Sequence, residues 1–223
     1  MKRILTAALA SLGIASAASA EPQVSTVDPR TVRFSMPTVA AEDIQFVMPS
    51  PQTFEGAPQF HEDEWCQSEF FPASRIAEMK ARLTEYKAFE QRHRASNGWT
   101  EIYARRIARS PVLSGGKAVV ELQELLKASI LPAPILTTAA RPLGQVGSGY
   151  TLRLEGSVLL YGISGESGLE SLGAIVGGGG DDQQLMRAFT TLNKKYKLVL
   201  VDWRQQFLLV EANSAGKIDI WRP

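Results

Sequence analysis

Residues 181–223 read DDQQLMRAFTTLNKKYKLVLVDWRQQFLLVEANSAGKIDIWRP, and within them the hydrophobic period changes once, from helical to extended. Leu185, Phe189, Leu192 and Tyr196 recur at spacings of three and four with Met186 beside them, which predicts one amphipathic helix. Asp181 stands as its N-cap, with Gln184 three residues on to reach back in a capping box. Beyond the helix, Leu198–Trp203, Phe207–Glu211 and Ile218–Trp221 are short β-rich runs, and Asn213 and Gly216 supply a turn between the last two. Loops this brief demand antiparallel neighbours, because a parallel return needs a crossover of about a dozen residues or more.

Upstream, Tyr150, Leu152 and Leu154 alternate with Thr151, Arg153 and Glu155, the pattern of a half-buried strand. Ser157–Ile163 is more continuously apolar, as expected of a central strand, and Leu169–Val176 returns after the turn residues Gly165 to Gly168. Gly177 to Gly180 then break the chain. Residues 141–223 therefore read as an α+β unit, with one helix on one face of an antiparallel sheet.

The preceding segment, 61–140, reads as mainly helical. Ile76, Met79, Leu83 and Tyr86 form a stripe on a helix over roughly 73–95, stopped by Asn97-Gly98. Val119, Leu122, Leu125, Leu126 and Ile130 repeat the period between Gly116 and Leu131, ended by Pro132 and Pro134. Trp99 to Ile107 fits a strand or a helix equally. Residues 21–60 hold six of the twelve prolines and keep no period, which predicts an extended Pro-rich leader. Ile44-Gln45-Phe46-Val47 is one of its short apolar pieces, able to lie along the folded body or a partner. On this division, proteolysis should trim the leader before residue 60.

Residues 1–20 carry the marks of a cleavable secretory signal peptide: Lys2 and Arg3, an uncharged run from Ile4 to Ala17, and small residues at Ala18 and Ala20 before Glu21. The expected compartment is the bacterial periplasm, with full secretion as the alternative. Cleavage leaves 22 basic against 23 acidic residues, a formal charge of −1. That balance offers no footprint for nucleic acid and no basic patch for an anionic membrane. No later stretch is apolar enough to span a bilayer, so no membrane insertion of the mature chain is expected. Cys66 is the single cysteine, which excludes an intramolecular disulfide and points to a buried, inert thiol.

Catalytic constellations are scarce. The glycine run before Asp181 lacks GxGxxG and a terminal Gly-Lys-Ser/Thr, and two carboxylates stand where a phosphate would sit. His61-Glu62-Asp63-Glu64 has neither HExxH nor EF-hand spacing and reads as a solvated acidic junction. His61 and His93 are the only histidines, so nucleophilic triads have few bases to draw on. Asp181, Asp182, Asp202 and Glu211 remain as carboxylates for glycoside hydrolysis, with Asp202 at a strand end favoured as a turn residue. No catalytic or metal-ligating residue and no cofactor is expected. The binding residues predicted are Trp203, Arg204, Trp221 and Arg222, two Trp-Arg pairs at strand ends of the kind enriched in binding hot spots. Alternation places Trp221 opposite Ile218 and Ile220, and so on the outside if those two face the core. The function expected is a non-enzymatic binding or assembly module of the cell envelope or a secretion apparatus, its partner another envelope protein. A carboxylate-dependent hydrolase acting on carbohydrate is the alternative.

Overall fold

Ser68-Glu69-Phe70-Phe71-Pro72 forms β1, a central strand that no periodicity announced. Phe70 packs into the apolar cluster on one face and Phe71 into the cluster on the other, so the strand is buried on both sides. A computed structural model describes residues 28, 31–108, 110–178, 180, 182–213 and 216–223. Residues 33–223 form one compact unit. Residues 1–20, expected to be a signal peptide, and Asp181, expected to cap the helix that follows it, lie outside the described residues.

The main sheet contains β1, β2 (Ser129–Leu131), β3 (Gly149–Arg153), β4 (Val158–Gly165), β5 (Gly173–Val176), β6 (Leu198–Asp202), β7 (Phe207–Ala212) and β8 (Ile218–Trp221). Its order is β8-β7-β6-β1-β5-β4-β3-β2, with every neighbouring pair antiparallel. Three helices complete the frame: α1 (Ile76–His93), α2 (Ala118–Leu126) and α3 (Asp182–Tyr196). The chain is α+β. Phe189 and Leu192 of α3 join Leu198, Leu200 and Leu209 on one face. The opposite face is taken by α1, where Met79, Leu83 and Tyr86 meet Val199, Val201 and Leu208. Double coverage explains why Leu198-Val199-Leu200-Val201 is uniformly apolar: each side chain has a core to enter, at about 1.5–3 kcal/mol apiece.

The α1 stripe and the strands of the last third fall where the periodicity placed them. Three readings change. The helix over 116–131 stops at Leu126, because Lys127 adopts φ 52° and its N–H closes onto the carbonyls of Gln123 and Glu124. Residues 129–131 then form edge strand β2. Residues 61–140 hold β1 and further short strands as well as helices, and β1 shows no period because it packs against a core on both faces.

The leader is extended, and from Arg33 onward it is built into the compact unit instead of being a separate, trimmable segment. Thr38–Ala40 pairs in parallel with Tyr103–Arg105, and Phe34 bridges Trp99. A second sheet runs in the order Phe46–Val47, Pro142–Val146, Ile135–Thr137, Gln59–His61. Proline limits periodicity but leaves the intervening N–H groups free to pair, and residues 34–61 use them. A third apolar cluster beneath this sheet joins Trp65, Leu136, Val146 and Tyr161, with Ala40, Ile44 and Phe60 against it. Among the described residues no helix is long and apolar enough to cross a membrane.

Candidate functional site

The two Trp-Arg pairs divide. Trp203 is 0% exposed and sits among Phe71, Val199 and Leu208, with the Arg105 guanidinium 5.1 Å from its ring. A side chain without accessible surface cannot anchor a partner, so Trp203 is removed from the predicted binding set. Trp221 is half-buried against the α1-side cluster, opposite Leu208 in register, with Lys80 Nζ 5.4 Å from its ring centroid. Alternation holds, with Ile218 on the α3 face and Trp221 on the opposite one, but α1 covers that second face, so Trp221 packs there instead of standing outside. Arg204 reaches Glu64 in an ion pair, and Arg222 donates to the Gln205 carbonyl at 2.9 Å while stacking on Phe207. Arg204 and Arg222 thus brace the turn between β6 and β7.

Asp202 ends β6, and its Oδ1 accepts the Gln205 N–H at 2.7 Å while Oδ2 accepts the Ser68 hydroxyl at 3.2 Å. Burial raises its carboxyl above the ordinary range, and these hydrogen bonds partly oppose the rise. Asp202, Asp182, Glu64, Ser68 and Arg204 line a cleft of about 330 Å³. Glu211 does not line it, and Asp181 lies outside the described residues. His61 Nδ1 accepts the Asp63 N–H at 3.2 Å, and His93 stacks on Phe89; both serve local packing.

Sequence reasoning missed a buried polar knot. Glu69 points from β1 into the interior near Arg105, Trp203, Cys66 and Glu42. Burial, then the charge of Glu42, pushes its carboxyl up from 4.5 to about 8 against the opposing pull of Arg105. Arg105 donates to the Thr38 hydroxyl and to the Cys66 carbonyl, each at 2.9 Å. The Trp203 indole N–H lies beside the Glu69 carboxyl but finds no acceptor within hydrogen-bonding distance, nor does Arg105 Nε. Cys66 is fully buried, as its residue type led one to expect, in a left-handed conformation at φ 51°. Donor atoms of Glu42, Cys66 and Glu69 lie within 4.8 Å of one another, close enough for one cation. A metal there would have to displace the positive charge that Arg105 already brings.

The second sheet supplies the exposed feature. Phe46–Val47 is its edge strand, paired only through Val146 and Gln145 among the described residues. Phe46 is 39% exposed, Val47 50%, Met48 91%, and Phe54 in the following helical turn 52%. A run of apolar side chains on a sheet edge is what folded chains ordinarily avoid. Beside it opens a cavity of about 390 Å³ lined by Glu42, Asp43, Glu62 and Asp63 above Trp65 and Leu136, with no Lys or Arg among its lining residues. Trp65 Nε1 donates to Glu42 at 2.8 Å, and Asp63 lies 3.4 Å from His61 Nδ1. The sequence signal for this edge was Phe46-Val47-Met48 itself, three apolar residues between polar neighbours and a proline. No family model, curated protein or solved structure matches the chain.

Proposed function

We propose that this chain is an exported, non-enzymatic binding module of the bacterial cell envelope, which docks another envelope protein on the sheet edge at Phe46–Met48. The observation that carries the reading is the contiguous exposure of Phe46, Val47, Met48 and Phe54 beside an edge strand. An unpaired edge offers backbone N–H and C=O groups to an added strand, and flanking apolar side chains supply the hydrophobic contact. The periplasm is the proposed compartment, on the strength of residues 1–20. A photo-crosslinking side chain placed at Met48 in intact cells tests the site. Docking predicts a discrete adduct that Val47→Lys removes, while Ile130→Lys, on the exposed edge of the other sheet, leaves it. An adduct indifferent to Val47→Lys, or none above that obtained from position 130, ends the proposal.

The carboxylate hydrolase is the second reading, favoured by one observation: Asp202, with its raised pKa, shares a cleft with Asp182 and Glu64. It ranks below docking because both Asp202 oxygens already accept hydrogen bonds, from Gln205 and Ser68, and Glu64 is held by Arg204. Turnover of peptidoglycan or a glycan, lost in a folded Asp202→Asn variant, would reverse that order.

A further inference from the structure

We infer that the segment received at Phe46–Val47 is an extended polypeptide carrying a basic side chain, Arg or Lys, which enters the acidic cavity beside the strand. This rests on the docking reading and specifies the chemistry of the partner. Side chains of adjacent strands that stand opposite one another share a face, with Cβ atoms about 4.5–5.5 Å apart. Phe46 lines the cavity and Val47 does not, so a residue paired opposite Phe46 on an added strand is directed to the cavity side. Four carboxylates, from Glu42, Asp43, Glu62 and Asp63, line that space. An acidic side chain would be repelled there, and an apolar one would strip water from carboxylates without replacing it. A guanidinium or ammonium complements their charge by charge-assisted hydrogen bonds. Apolar neighbours on the same segment would cover Val47, Met48 and Phe54. Edge and cavity together therefore select a partner strand that is apolar overall and cationic at one position.

The test uses the full mature chain and a fluorescent peptide alternating Val and Thr with a single central Arg. Its control replaces that Arg by citrulline, which keeps the shape and removes the charge. The expected result is binding of the Arg peptide at least about tenfold tighter than citrulline, weakening as salt rises. Asp43→Asn combined with Asp63→Asn should erase the difference, whereas Glu121→Gln with Glu124→Gln on exposed α2 should preserve it. Thermal melts of both variants confirm that folding is retained. Equal binding of the two peptides overturns the basic side chain and leaves strand docking standing. Binding of the Arg peptide that survives Val47→Lys overturns the placement at this edge. If neither peptide binds, the inference fails, while the crosslink from Met48 judges docking independently. A monomer–dimer equilibrium abolished by Val47→Lys would assign the edge to a second copy of the chain and overturn the cationic partner.

Discussion

Raising the pH from 5 to 8 should weaken the fold chiefly through Glu69. In the unfolded chain Glu69 ionises near its ordinary 4.5, whereas in the folded chain it keeps its proton to about 8. Between those values the unfolded state has released a proton that the native state still holds, so stability falls with rising pH. Each pH unit in the interval removes about 1.4 kcal/mol, and the full interval amounts to a loss on the order of 3–5 kcal/mol. Below 4.5 and above 8 this residue contributes no slope.

Glu69→Gln retains the shape and resembles the protonated carboxyl. At pH 5 the native Glu69 is already neutral, so the variant should match the parent within about 1 kcal/mol. At pH 8 it should be the more stable by a few kcal/mol, despite the loss of the charge facing Arg105. Asp202, also raised, adds a slope of the same sign, common to both proteins and absent from their difference. Urea unfolding at pH 5, 6.5 and 8 measures that difference. Parallel pH profiles for parent and variant would refute a neutral, buried Glu69.

Trp203→Ala should cost about 3–5 kcal/mol, as for a fully buried aromatic, and Trp221→Ala clearly less because its ring is half-exposed; thermal melts that rank them the other way would contradict the packing. Lys127→Gly should stabilise the protein by about 0.5–1 kcal/mol, since exposed Lys127 occupies the left-handed region at a helix end; denaturant titration reads the shift. Gly162→Ala should destabilise by about 2 kcal/mol or more, because a β-carbon there would stand 2.1 Å from the Ser171 carbonyl oxygen; circular dichroism melting shows whether β4 tolerates it.

Elements whose environment is one-sided were legible in the sequence. The α1 and α3 stripes follow from a core on one face and water on the other, which writes a period into the chain. The apolar face of 150–154 shows by the same alternation, although Thr151 opposite it is also buried. β1 has a core on both faces and a buried Glu among its aromatics, so it writes none. The strands within 34–61 are two or three residues long, too short for any period to register, and only their partners reveal them. Trp203 illustrates the limit for sites. A Trp-Arg pair has the composition of a hot spot whether it faces a partner or a core, and here the coverage of the second sheet face by α1 decides it. The Phe46-Val47-Met48 run was visible as composition, yet its exposure depends on Pro142–Val146 pairing with one side of it and leaving the other open.

The knot at Arg105 bears on docking through the backbone. Thr38 is held from three directions: its hydroxyl accepts from Arg105 and donates to the Tyr103 carbonyl, and its carbonyl accepts from Gln67 Nε2. Only a few residues separate that anchor from Phe46, and they include Glu42, which accepts the Trp65 indole N–H. One end of the docking segment is therefore fixed by buried hydrogen bonds to β1 and its neighbours, and the other by pairing with Gln145 and Val146. A strand held at both ends spends little conformational entropy when a partner adds to it, which is how a short exposed edge gains affinity without area. A buried charge cluster is weak evidence for stability, and the 3–5 kcal/mol that Glu69 is expected to cost above pH 8 agrees with that. What the cluster contributes instead is a defined path for residues 38–47. On that path Phe46 meets the cavity and Met48 meets solvent, the arrangement the docking proposal requires.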